Sequence, residues 1–157
     1  MKIRGATISF FALREFLTLT YTRSARIEWG DCDPAGIVFF PRYFAMFDSC
    51  TTALFSQALG MSKYEFTRHY AFQGYPMVDT KARFLKPTKF GDDVVIETKI
   101  VEFRRSSFDV QHRLTLGGEL CVECFDTRVW AERNPDDPEK IRAKSIPQDV
   151  IAKFNRT

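Results

Sequence analysis

Residues 21–29 alternate, with Tyr21, Arg23, Ala25, Ile27 and Trp29 on one side and Thr22, Ser24, Arg26 and Glu28 on the other. A period of two is the pattern of a half-buried strand. Further along, Phe44, Phe47, Thr51, Leu54 and Ala58 recur at steps of three and four, and Phe55 and Leu59 widen the stripe. That spacing predicts a helix of about five turns, ~27 Å long, stopped at Gly60. Ser62, with Glu65 three residues on, has the reciprocal capping pattern that opens a second, short helix running to about Tyr70. From there the period returns to two. Strands are predicted at 77–86, closed by Pro87 and the turn Gly91-Asp92-Asp93, and then through Val94, Ile96 and Ile100. The clearest alternation sets Phe108, Val110, His112, Leu114 and Leu116 against Ser107, Asp109, Gln111, Arg113 and Thr115. Gly117-Gly118 makes a hairpin turn into a fifth strand at 120–130, residues 134–138 form a loop, and Pro147 opens a short last helix.

One strand, one long helix and then a run of four antiparallel strands define an α+β domain. A helix with one broad apolar stripe needs a sheet face to cover it. At 157 residues the chain is one domain, able to bury a substantial core, with no internal repeat or linker. Its 16 Phe exceed what a core of this size needs, so some rings are candidates for a pocket wall or a subunit interface. A net charge of +3, from 23 basic and 20 acidic residues, argues against a nucleic-acid protein built on a basic face. It is compatible with a local basic patch for a phosphorylated small molecule.

The four cysteines are Cys32, Cys50, Cys121 and Cys124. Cys121 and Cys124 form a CxxC, but inside a strand, where residues three apart point to opposite faces. No second CxxC or spaced His pair accompanies it, so no metal site is expected, and the thiols read as reduced ones in a cytoplasmic protein. No apolar run approaches the ~20 residues a membrane span requires. Residues 1–20 read as an N-terminal extension of unassigned role ahead of a single domain at 21–157. Arg14 and Glu15 break their apolar run too early for a signal peptide.

Chemistry concentrates in residues 30–41, Gly-Asp-Cys-Asp-Pro-Ala-Gly-Ile-Val-Phe-Phe-Pro. Two carboxylates among Gly and Pro mark a loop. Trp29 on one side and Ile37, Val38, Phe39 and Phe40 on the other are expected to be buried. An Asp at the rim of an apolar pocket, close to a helix start, can serve as a nucleophile or general base. By spacing alone, Asp31 and Asp33 are better explained as turn-makers.

This run resembles the motif of the 4-hydroxybenzoyl-CoA thioesterase family, acyl-CoA thioesterases of the hot-dog fold. The likeness continues through Gly74-Tyr75-Pro76-Met77-Val78, Phe103-Arg104-Arg105-Ser106-Ser107-Phe108 and Ile141-Arg142-Ala143-Lys144-Ser145-Ile146-Pro147, and covers residues 22–154. The resemblance implies a curved antiparallel sheet of about five strands wrapped around one long helix. It also implies a homo-oligomer, a tetramer made of two dimers. The function implied is hydrolysis of an acyl-CoA, preferably an aromatic one such as 4-hydroxybenzoyl-CoA, without a separate cofactor, since coenzyme A is part of the substrate. A short-chain acyl-CoA thioesterase and a non-catalytic acyl-binding hot-dog protein are the other readings. The first of these often carries a His where this chain has Pro41.

Residue by residue, Asp33 matches the family's catalytic carboxylate, which either attacks the thioester carbonyl or activates water. The backbone amide of Phe40, at the positive end of the long helix, is the matching oxyanion donor. Phe39 and Phe40 stand where aromatic-acyl relatives carry Trp-Tyr, so the pocket wall differs. Asp48 matches the acid that contacts the ring hydroxyl. A salt bridge to a strand residue such as Arg83, or to another subunit, explains it as well. Arg104, Arg105, Lys140 and Arg142 are the candidates for the phosphates of coenzyme A, because guanidinium groups make paired contacts with phosphate. Ser106 replaces a Lys after the arginine pair. Tyr75 belongs to a segment expected to shape the pocket, and Asp31 is expected to bond its own loop.

Overall fold

The structure, a computed structural model, describes residues 18–155. Seven strands and three helices follow one another: β1 (Thr20–Arg26), α1 (Phe40–Leu59), α2 (Lys63–His69), β2 (Met77–Phe84), β3 (Asp93–Phe103), β4 (Ser107–Leu116), β5 (Glu119–Val129), β6 (Ala131–Arg133), β7 (Ile141–Ala143) and α3 (Gln148–Lys153). The expected extension at 1–20 lies outside the described residues apart from its end. There Thr18 bridges to Asn155, and the Leu19 N–H donates to the Phe154 carbonyl at 2.8 Å.

The main sheet has the order β1-β3-β4-β5-β2, antiparallel at every pairing. The chain therefore crosses from one edge to the other between β1 and β2, and α1 fills that crossover. Its buried side, Tyr43, Phe47, Cys50, Thr51, Leu54 and Phe55, lies against the sheet's inner face. Phe55 is the hub of the larger cluster, with ring centroids 4.8 Å from Tyr75, 5.2 Å from Phe108 and 4.8 Å from Phe154. Burying one such ring contributes ~1.5–3 kcal/mol, so this contact set is a principal source of stability. Gly60 ends α1 with φ of 66°, a left-handed turn that glycine adopts without steric cost. Ser62 and Glu65 form the reciprocal cap of α2 that their spacing predicts.

Four expectations are corrected. The first strand stops at Arg26: after Ile27, whose N–H makes a last bond to the Asp92 carbonyl, residues Trp29–Asp31 wind into a 3-10 turn. Trp29 is consequently 75% exposed, resting edge-on against Phe90 at 5.7 Å. Of the apolar run after the Asp loop only Val38 is buried, while Ile37, Phe39 and Phe40 are exposed. Helix α1 starts at Phe40, so Phe39 and Phe40 sit at its open end, the Phe40 ring against Phe39 and Phe44. Cys121 and Cys124 do not face opposite ways: Leu114 pairs with Val122 and Thr115 with Leu120, so Cys121 is the extra residue of a bulge, and both free thiols are buried in one cluster. The strand predicted at 77–86 ends at Phe84, where the Leu85 and Lys86 N–H groups turn to the Cys121 carbonyl. The two-stranded ribbon of β6 and β7 was not foreseen; its strands are only three residues long.

Candidate active site

Each loop carboxylate has a distinct task. Asp31 Oδ2 accepts from the Glu28 N–H at 2.9 Å, closing the 3-10 turn, and its carbonyl accepts from the Phe39 N–H at 2.8 Å. Asp33, half-buried, accepts from the Ala35 N–H at Oδ1 (2.8 Å), and its backbone exchanges bonds with Ile37 and Gly36. Its other carboxylate oxygen has no partner among the described residues. The loop is pinned from outside as well. Val38 donates to the Thr88 carbonyl at 2.9 Å, and the Tyr43 hydroxyl lies 2.7 Å from Thr88 Oγ1.

At the start of α1 the backbone donors can be accounted for singly. Phe39 N–H is spent on Asp31, Pro41 has none, and Arg42 N–H bonds the Phe39 carbonyl at 2.8 Å. The Phe40 N–H, first of the helix, has no acceptor among the described residues. Among the described residues the loop thus presents an unpaired carboxylate oxygen on each of Asp31 and Asp33, and the helix start an unpaired Phe40 amide.

Asp48 and Tyr75 lie elsewhere on the molecule. They line a pocket of about 420 Å³ together with Lys63, Gln73, Gly74, Pro76, Met77, Arg128, Ala131 and Ile141. Asp48 follows Phe40 by eight residues, roughly 12 Å along α1 at the usual helical rise. Neither Asp33 nor Phe40 lines this pocket. Within one chain, therefore, the loop carboxylate and the helix acid do not share a cavity. The salt-bridge partner of Asp48 is Arg128, at 2.6 Å, and not Arg83, which faces Glu123 at 3.7 Å. Burial pushes the Tyr75 hydroxyl up to about 12, so it stays protonated, and it lies 3.1 Å from Thr52 Oγ1. The Lys63 ammonium stands 5.3 Å from the centre of its ring.

Arg128 is the residue that sequence reasoning missed. Its side chain is only 3% exposed, and it also bonds Asp126 at 3.0 Å. Asp126 in turn accepts from Thr80 at 2.8 Å and faces His112 Nε2 at 3.4 Å. Burial drives the Asp126 carboxyl up, but the facing His112 ring and the bonds from Thr80 and Arg128 outweigh it and hold the group below the usual carboxylate range. Burial likewise drives His112 below its ordinary 6.5, against the pull of Asp126, so the imidazole is neutral. Two charged residues at alternate positions of an otherwise apolar strand face, Val122-x-Cys124-x-Asp126-x-Arg128-x-Trp130, were the available signal.

The four cations expected to meet phosphate differ in how free they are. Arg104 is committed: Nη1 and Nη2 grip Asp109 at 2.9 and 2.6 Å, Nη1 also meets Glu102 at 2.7 Å, and Nε bonds Ser107 at 2.9 Å. Lys140 pairs with Asp137 at 2.7 Å and Arg142 with Glu132 at 2.8 Å. Arg105 is exposed and has no side-chain partner among the described residues. The described residues contain no group of three side chains able to hold a metal ion, and none of their helices is long and apolar enough to cross a membrane.

Residues 27–154 match the family model of the thioesterase-like superfamily. The chain belongs to that family. It is therefore a thioester hydrolase with the hot-dog fold. It is 38% identical over 136 residues to the 4-hydroxybenzoyl-CoA thioesterase of Pseudomonas sp. (strain CBS-3), covering 83% of this chain and 94% of that protein. Among solved structures it is similar to a mutant 4-hydroxybenzoyl CoA thioesterase complexed with 4-hydroxybenzoyl CoA (TM-score 0.78, 32% identity, 86% of this chain and 98% of that one). A gentisyl-coenzyme A thioesterase is also similar (TM-score 0.72, 30% identity, 83% and 99%).

Proposed function

We propose that this thioesterase hydrolyses an aromatic acyl-CoA of the 4-hydroxybenzoyl type to the free acid and coenzyme A, with Asp33 as the reacting carboxylate. The observation that carries this reading is that the loop leading into α1 leaves, among the described residues, an Asp33 oxygen without a partner and the Phe40 N–H without an acceptor. Thioester cleavage needs an oxygen to attack the carbonyl carbon and a donor for the developing oxyanion. Asp33 either attacks directly, forming a mixed anhydride that water then opens, or takes a proton from the attacking water. In both routes the C–S bond breaks and the thiolate of coenzyme A leaves. The relatives' names, 4-hydroxybenzoyl-CoA and gentisyl-coenzyme A thioesterases, support a hydroxylated aromatic acyl group.

The enzyme works as a homo-oligomer, a tetramer built from two dimers. Strand β2 supports this: it is an edge strand, seven of its eight residues are exposed, and Val78 and Phe84 are 61% and 51% exposed. An exposed edge with unpaired backbone groups is a template for pairing with a second copy. Association would also bring a second chain's Asp48 pocket within reach of an Asp33 loop. Coenzyme A phosphates are met first by Arg105, whose guanidinium is uncommitted.

The test is thiol release from 4-hydroxybenzoyl-CoA, benzoyl-CoA and a series of short aliphatic acyl-CoA esters. The expected result is the highest kcat/KM on 4-hydroxybenzoyl-CoA. A preference for the aliphatic series would replace this reading with a short-chain thioesterase, and turnover of none would point to acyl binding without catalysis.

A further inference from the structure

Asp48 alone would be a poor reader of a substrate hydroxyl. It is a surface-facing helix residue, 56% exposed, and a free carboxylate there would sample several rotamers. The structure removes that freedom from behind. Arg128 holds Asp48 Oδ1 at 2.6 Å, while Oδ2 makes no bond among the described residues. The guanidinium is itself clamped by Asp126 Oδ2 at 3.0 Å, and Asp126 Oδ1 is held by Thr80 at 2.8 Å. Asp126 and Arg128 are two residues apart on β5, so both point to the inner face, and Asp126 pairs across the ladder with Thr80 of β2. His112 closes the row, stacked on Phe47 of α1 at 4.8 Å and bonded through Nδ1 to Thr98 at 2.9 Å.

This arrangement is costly for a core. A buried ion pair is commonly no more stable than well-packed apolar residues of the same volume. The charge balance indicates its use. One guanidinium lies between two carboxylates beside a neutral imidazole, so Asp48, Arg128 and Asp126 together carry one net negative charge. Asp48 is thereby fixed in place without being neutralised, with one oxygen left to accept a bond.

We propose that Arg128 and Asp126 are positioning residues that aim the free oxygen of Asp48 at a hydrogen-bond donor on the acyl ring and so set the preference for hydroxylated aromatic substrates. The proposal rests on the reading that Asp48 faces the acyl group. Arg128 lines the same pocket as Asp48 and lies 5.9 Å from the Tyr75 ring, so the clamp is part of the pocket wall. Asp126, 1% exposed, touches no substrate and acts only through Arg128.

The readout is the ratio of kcat/KM on 4-hydroxybenzoyl-CoA to that on benzoyl-CoA, which general loss of folded enzyme does not move. Arg128→Gln and Asp126→Asn should each lower the ratio by about tenfold, the scale of a charge-assisted bond lost. Arg128→Lys should recover part of it. Asp126→Asn added to Asp48→Asn should lower the ratio no further, because the two act on one oxygen. If Asp48→Asn collapses the ratio while Arg128→Gln and Asp126→Asn leave it intact, the positioning role is overturned and the aromatic reading stands. If Asp48→Asn itself leaves the ratio intact, Asp48 does not read the ring and the positioning role falls with it. Should Asp126→Asn not fold, Thr80→Val removes the hydroxyl bond to Asp126 together with a 3.4 Å contact to the Cys124 thiol, and leaves both carboxylates and Arg128 in place. A smaller fall in the ratio is expected there, and an unchanged ratio counts against the proposal.

Discussion

Adjacent arginines 104 and 105 should separate cleanly into a strut and a ligand. Arg104→Ala deletes a two-pronged contact to Asp109, a contact to Glu102 and a bond to Ser107. Its side chain is 38% exposed, so solvent screens these pairs and each is worth the low end of the usual range. Two ion pairs and one hydrogen bond at that discount sum to about 1–2 kcal/mol. For a domain of this length that lowers Tm by roughly 2–8 °C. Arg104 also holds the Asp109 carboxyl below its usual 3.8, so the lost stability should be present at neutral pH and fade as pH falls through the carboxylate range. Arg105→Ala removes no contact within the described chain, so Tm should stay put. KM for the CoA ester should instead rise, with little change in kcat, because phosphate binding is equal in ground and transition states. An acyl-pantetheine substrate, which lacks the nucleotide, should be indifferent to Arg105→Ala. Thermal melts and Michaelis curves on both substrates decide the matter. Were Arg104→Ala to keep its Tm and raise KM instead, the clamp would be one that opens to coenzyme A, and the strut assignment would be wrong.

Asp33→Asn should lower kcat by at least ~10²–10⁴-fold with the fold intact, since its backbone bonds and the Ala35 contact survive the change. Asp31→Asn should act through stability, and the opposite outcome in the same kinetic and melting assays would exchange their roles. Stability should decline as pH falls below about 6.5, because the unfolded chain then binds a proton that buried His112 refuses, at up to ~1.4 kcal/mol per pH unit. Asp126 adds to the loss below its usual 3.8. Urea midpoints from pH 7 to 5 should therefore fall less in His112→Gln, and parallel curves would contradict the neutral imidazole. Sedimentation at micromolar concentration should show a tetramer, and an 18.2 kDa species alone would remove the proposed role of the β2 edge.

Much of this was determined locally. Alternation in 107–116, the three- and four-residue steps of 44–58, the left-handed stop at Gly60 and the Ser62–Glu65 cap each depend on neighbours in the chain, and each formed as its pattern predicts. The motif at 30–41 likewise marked the loop that presents Asp33, because a turn chemistry of Asp, Pro and Gly acts within a few residues. Burial was a different matter. Trp29, Phe39 and Phe40 are as apolar as Phe47, yet only the position of α1 on the sheet decides which rings are covered. Partner choice was beyond local reading too. Asp48 meets Arg128, 80 residues away, because the fold brings the end of β5 within reach of the middle of α1, and Arg104 is tied to Asp109 because the β3–β4 turn folds it back. Charges find partners through space, where a single guanidinium can serve a phosphate or a neighbouring carboxylate, and the tertiary structure alone selects between them.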